Sequence, residues 1–100
     1  MTAKLVSQSV TSPQTFSLSH LPVLLGRADE ADVRVKDQWV SRRHCQLDLR
    51  DGVLVVRDLG SKHGTWVNHR RVEEATVLPG DELNIGVTTL RADYKTWPSS

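Results

Sequence analysis

Short apolar runs separated by turn residues recur along the whole sequence, and no stretch keeps helical spacing for the ten or more residues that a packed helix needs. That pattern restricts the chain to an all-β fold. Strands are expected at Lys4 to Val10, Thr15 to Leu18, Val23 to Leu25, Val33 to Val35, Cys45 to Arg50, Val53 to Asp58, Thr65 to Val67, Thr76 to Leu78, Glu82 to Ile85 and Thr88 to Asp93. In Cys45-Gln46-Leu47-Asp48-Leu49 the alternation is clean, so Cys45, Leu47 and Leu49 are expected on one face and Gln46 and Asp48 on the other. Asp51-Gly52 between two such runs is a hairpin signal, because a type I′ turn needs positive φ at both central positions. Pro13, Pro22, Pro79-Gly80 and Gly86 mark further turns, at a spacing that suits two packed sheets.

One hundred residues make one domain with a single core, so any function sits on the surface or rim of that core. Residues 1–95 are expected to form it and residues 96–100 a frayed tail. Thirteen Lys plus Arg against twelve Asp plus Glu leave no global field that would steer the chain to nucleic acid or an anionic membrane. The lone Cys45 has no internal disulfide partner, which fits a reducing compartment. Met1 to Val10 lacks the continuous apolar stretch of a signal peptide, and no segment is long and apolar enough to span a bilayer as a helix. A soluble protein of the cytoplasm or another intracellular space is expected.

Three polar clusters fall in the expected loops or at strand ends: Gly26-Arg27, Ser41-Arg42-Arg43-His44, and Ser61-Lys62-His63-Gly64-Thr65 with Asn68 behind it. Loops of a sandwich collect at its two ends, so clusters far apart in sequence can converge on one rim. Together they supply guanidinium, hydroxyl, ammonium and loop-amide donors without the carboxylates of a metal or hydrolytic site, which is the composition of a phosphate cradle. A phosphothreonine carries about −1.5 to −2 charge and three acceptor oxygens, and the planar fork of Arg can hold two of them at once.

These motifs resemble the forkhead-associated (FHA) domain family, through Leu25-Gly26-Arg27, Val40-Ser41-Arg42-Arg43-His44, Asp58-Leu59-Gly60-Ser61-Lys62-His63-Gly64-Thr65-Trp66-Val67-Asn68 and Leu78-Pro79-Gly80-Asp81-Glu82-Leu83-Asn84-Ile85-Gly86. The resemblance covers roughly residues 3 to 94. It implies a two-sheet, SMAD/FHA-like β-sandwich of about eleven strands that binds phosphothreonine peptides through loops at one rim, without a cofactor. By that resemblance Arg27 and Ser41 would contact the phosphate, Arg42 the phosphate or the neighbouring peptide, and Ser61 and Lys62 would line the loop that closes over it. Gly26, His44, Gly64, Thr65 and Asn68 would support the site. The family commonly has an Asn that bonds the peptide main chain where this chain has His63, which puts His63 among the candidate contacts. Trp39, two residues before Ser41, is placed to touch side chains flanking the phosphothreonine.

Other functions fit the residues less well. A hydrolase would recruit Ser41, His44 and Asp37 or Asp58, but no nucleophile elbow is present and arginines flank the serine. His44 and Cys45, adjacent on a strand, would point to opposite faces and could not share a metal. A nucleic-acid reading would recruit Arg27, Arg34, Lys36, Arg42, Arg43, Lys62, Arg70 and Arg71 as a basic strip, yet clustered stacking aromatics and a recognition helix are missing. A phosphate-independent protein-interaction domain is the remaining alternative.

Overall fold

The computed structural model describes residues 3–8 and 14–96. Eleven strands follow one another: β1 (Ala3–Ser7), β2 (Thr15–Ser17), β3 (Val23–Gly26), β4 (Val33–Arg34), β5 (Cys45–Arg50), β6 (Val53–Asp58), β7 (Thr65–Val67), β8 (Arg70–Val72), β9 (Glu74–Val77), β10 (Glu82–Ile85) and β11 (Thr88–Tyr94). They form a six-stranded sheet, β2-β1-β11-β10-β7-β8, and a five-stranded sheet, β4-β3-β5-β6-β9. Among the described residues there is no helix, and so none long and apolar enough to cross a membrane.

The core between the sheets follows from strand alternation. Cross-strand partners Val23 and Leu47, Leu47 and Val56, and Leu54 and Val77 line the inner face of the five-stranded sheet. Leu83 and Leu90, with Leu5 and Ala92, do the same for the six-stranded one. All are buried in one cluster. The Asp51-Gly52 hairpin forms as expected, with φ of 51° and 82° and with Arg50 opposite Val53.

Several expectations are corrected. β8 was not anticipated: its turn is Asn68-His69, with φ of 48° and 69°, two positive-φ positions filled without glycine. Asn tolerates that region, His does so less often, and two adjacent arginines do not read as a strand. β9 begins at Glu74 rather than Thr76 and ends before Leu78, which is exposed and donates its N–H to Asp81 Oδ2 in the following turn. Leu49 shares the face of Cys45 and Leu47 in register but lies next to the hairpin end and is exposed, although its cross-strand partner Leu54 is buried. β1 closes at Ser7; the Ser9-Val10 end of the expected strand, the Pro13 turn and residues 97–100 of the expected tail lie outside the described residues.

Register also decides where a site can form. Leu25 pairs with Cys45, Cys45 with Asp58, Ile85 with both Thr65 and Thr88. The β3–β4, β4–β5, β6–β7 and β10–β11 connections therefore emerge at one end of the sandwich. The opposite part of the core is locked by Tyr94, whose hydroxyl reaches from β11 to the other sheet, accepting from Leu54 N at 3.1 Å and donating to Val77 O. Tyr94→Phe strips a partner from both buried main-chain groups and is expected to cost about 1 to 3 kcal/mol, read as a lower urea midpoint at unchanged m. A midpoint equal to that of the parent protein would show that this hydroxyl does not tie the sheets.

Candidate functional site

The β4–β5 connection is laid directly against the end of β3. Arg27 N donates to Ser41 O at 3.0 Å, Ala28 N to Arg42 O at 3.2 Å, and His44 N to Leu25 O at 2.9 Å. Gly26 lies beneath this crossing, and a Cβ there would overlap the main-chain oxygen of Arg42. Only glycine allows the two segments to approach so closely. The same packing orients Arg27, whose Nε donates to Val40 O at 3.1 Å, so the two terminal guanidinium nitrogens point away from that anchor at an exposed position.

His44 couples this loop to the next. It is fully buried; its Nδ1 accepts from Ser41 N at 3.1 Å, which makes Nε2 the protonated nitrogen, 2.8 Å from Gly64 O. A second fastening runs alongside, from Lys62 N to Ser41 Oγ at 3.0 Å. The Ser41 oxygen thus accepts from the opposite loop, while among the described residues no acceptor is recorded for its own proton, which can be donated outward.

The β6–β7 loop is shaped by Asp58, at the end of β6. Its Oδ2 accepts from Gly60 N and Ser61 N at 2.9 and 3.0 Å, and its Oδ1 from the hydroxyls of Ser61 and Thr65. Ser61 Oγ also accepts from Gly64 N at 3.0 Å, so the Ser61 hydroxyl proton is directed into the loop and not toward the rim. Gly64, at φ of 88°, turns its carbonyl to His44; a Cβ there would meet Arg71 Nε at 2.6 Å, because the Arg71 side chain covers the outside of the loop. Asn68 lies at the far end of β7, where it exchanges bonds with Glu82 main chain and fixes the β7–β8 turn.

Arg27, Ser41, Arg42, Lys62 and His63 therefore come to one rim, with Gly26, His44, Gly64 and Thr65 beneath it. Arg27, Arg42, Arg43 and Lys62 are exposed, and among the described residues none makes an ion pair; Arg34, by contrast, is held by Asp29 at 2.9 Å. Asp37 was not anticipated as an organiser. It is buried, and it accepts from Trp39 N, Val87 N and Thr88 Oγ1, each at 2.8 Å, tying the β4–β5 loop to the opposite sheet. The Asp58-x-Gly-Ser spacing is a readable turn signal, whereas the fifty-residue reach from Asp37 to Val87 leaves none. No Ser-His-Asp relay is formed, since His44 bonds the main chain of Ser41 and Gly64. Among the described residues no group of three or more His, Cys, Asp or Glu is placed to hold a metal ion.

The family model of the FHA domain matches residues 23–86 of this chain, well over half of it. The protein belongs to the FHA domain family. FHA domain-containing protein FhaB of Mycobacterium tuberculosis (strain ATCC 25618 / H37Rv) is 35% identical over 86 residues, covering 85% of this chain and 56% of FhaB. Glycogen accumulation regulator GarA of Mycolicibacterium smegmatis is 35% identical over 95 residues, covering 95% of this chain and 59% of GarA. The chain thus spans somewhat over half the length of these curated relatives. A solved structure described as a structural and functional analysis of phosphothreonine-dependent FHA domain interactions has a TM-score of 0.87 and 27% identity, covering 95% of this chain and 98% of that one. The matched FHA segment contains every rim residue from Arg27 to His63 and the residues beneath them; β1, β2 and β11, which fall outside it, complete the six-stranded sheet.

Electrostatics of the FHA rim follow from burial. Burial lowers the pKa of His44 below the usual imidazole value of 6.5, against the opposing pull of its Gly64 bond and of Asp58 and Asp37. For Asp58 burial acts upward, but its bonds from Ser61, Thr65 and Gly60 prevail and hold the carboxyl below its ordinary value. Cys45, fully buried under the site, is pushed up to about 12 by desolvation and stays a neutral thiol. Because the unfolded His44 binds a proton more readily than the folded one, its contribution to stability is complete above about pH 6.5 and is lost as pH falls toward and through the depressed folded pKa. Unfolding free energy is expected to decline across that window with a slope of at most about 1.4 kcal/mol per pH unit from this group. Imidazole NMR should show His44 neutral, protonated at Nε2 and titrating below 6.5; titration at or above 6.5 would contradict the buried neutral clamp.

Proposed function

We propose that this FHA domain is a phosphothreonine-dependent reader of partner proteins, acting in intracellular signalling without catalysis. The observation that carries the reading is the outward-facing donor set at the rim: the Arg27 guanidinium anchored through Nε, and the Ser41 hydroxyl, whose oxygen is occupied by Lys62 N and whose proton has no acceptor among the described residues. An anion with several acceptor oxygens satisfies both groups at once. The solved relative studied for phosphothreonine-dependent interactions supports the same chemistry.

In this scheme Arg27 and Ser41 hold the phosphate. Arg42 contacts the phosphate or the adjoining peptide from the same loop, and the Lys62 ammonium closes over it while its main-chain N–H stays on Ser41. Ser61 serves through its oxygen and its bond to Asp58, shaping the loop around the anion. His63, exposed beside Lys62, faces the peptide flank. FHA domains are binding modules, and the His44 geometry favours a brace over a general base.

The test is titration with a phosphothreonine peptide, its unphosphorylated twin and an oligonucleotide. Binding is expected for the first alone, and Arg27→Ala should weaken it by about 2 to 5 kcal/mol. Equal affinity for the two peptides would establish a phosphate-independent interaction domain instead, and preference for the oligonucleotide would establish nucleic-acid binding.

A further inference from the structure

Asp37 stands outside the proposed phosphate contacts: it is buried, and both its oxygens accept hydrogen bonds from the protein. Burial acts upward on its pKa, but the bonds from Trp39, Thr88 and Val87 prevail and hold the carboxyl below its ordinary value, so it is charged at neutral pH. A carboxylate close to a phosphate site opposes anion binding through its charge, so its place beneath the rim calls for a reason.

Its main chain opens the turn that delivers Arg27 and Ser41. Val40 N donates to Asp37 O at 2.9 Å, and Asp37 Oδ1 accepts from Trp39 N at 2.8 Å inside the same turn. Val40 closes the turn in a buried position, its carbonyl accepts from Arg27 Nε at 3.1 Å, and Ser41 follows directly. Whatever fixes Asp37 therefore fixes both the anchor of the guanidinium and the start of the phosphate-binding loop. What fixes Asp37 lies in the other sheet, fifty residues on: Oδ2 accepts from Val87 N and from Thr88 Oγ1, each at 2.8 Å. Gly86, at φ of 60°, lets the β10–β11 turn close on the carboxylate, and a Cβ there would meet Oδ2 at 2.6 Å.

We infer that Asp37 is a positioning residue for phosphothreonine binding: it carries the placement of Arg27 and Ser41 from the β10–β11 turn, so that the Thr88 hydroxyl, on β11 of the six-stranded sheet and outside the proposed phosphate contacts, sets the affinity of the rim. The inference rests on the phosphothreonine reading and names what holds that site in its binding geometry. A loop fixed before the ligand arrives has less conformational freedom to lose on binding. A substitution that touches no ligand can then change affinity by releasing that loop.

The experiment titrates a phosphothreonine peptide into the parent protein, Thr88→Val, Asp37→Ala and the double variant, with urea midpoints to show that each is folded. Thr88→Val keeps the shape and charge of the protein and is expected to weaken binding by about threefold, and Asp37→Ala by about tenfold. In the double variant the Thr88 change should add nothing. The sign separates positioning from charge, because loss of a carboxylate that acted on the phosphate through its field alone would strengthen binding. Amide hydrogen exchange at Trp39 and Val40 should quicken in Thr88→Val while the core strands keep their protection. Parent-like affinity in Thr88→Val, tighter binding by Asp37→Ala, or additive losses in the double variant would overturn the inference and leave the phosphate reading intact. If Asp37→Ala does not fold, the Thr88→Val affinity decides alone. Failure of the parent protein to bind any phosphopeptide would overturn both.

Discussion

The rim depends on one neutral imidazole. His44 has no exposed surface, and its two nitrogens face two loops that are twenty residues apart, accepting from Ser41 N and donating to Gly64 O. Only a neutral imidazole accepts at one nitrogen and donates at the other. Were it protonated, Ser41 N would lose its acceptor and a charge would be buried. The bond from Lys62 to Ser41 runs parallel to this clamp, and the Gly26 crossing sets how closely the β4–β5 loop approaches β3. Fixing these loops before a ligand arrives is what lets a few exposed donors act as one site.

Charge is sorted by the same construction. Asp58 and Asp37 stand close to the rim, yet their oxygens are occupied by hydrogen bonds from loop amides and hydroxyls. Neither forms an ion pair with a rim arginine, so Arg27, Arg42 and Lys62 keep their charge available for an external anion. A near-zero net charge thus coexists with a locally cationic edge, and the strength of the site owes little to long-range steering.

Much of the fold was legible because strand pattern and turn chemistry are local. β5, β6, β7 and β10 have the bounds that alternation and the Asp51-Gly52 turn imply. β8 was not legible, because its hairpin uses Asn68-His69 in place of a glycine turn and its strand opens on two arginines. The site residues were readable as donors, and the family resemblance divides them into contacts and supports, but the hydrogen bonds behind that division were not readable. Whether the Ser61 hydroxyl faces a ligand or Asp58, and whether Asp37 merely caps a turn or bridges two sheets, depends on contacts made across the sandwich.

A phosphate bound among the cations of this rim would report on them directly through the second ionisation of the phosphothreonine. Its free value is about 6, and a cationic, donor-rich site favours the dianion. Phosphorus NMR of the bound peptide across mildly acidic to neutral pH should therefore show the phosphate titrating below its free value. A bound phosphate that titrates at or above the free value would contradict the cradle.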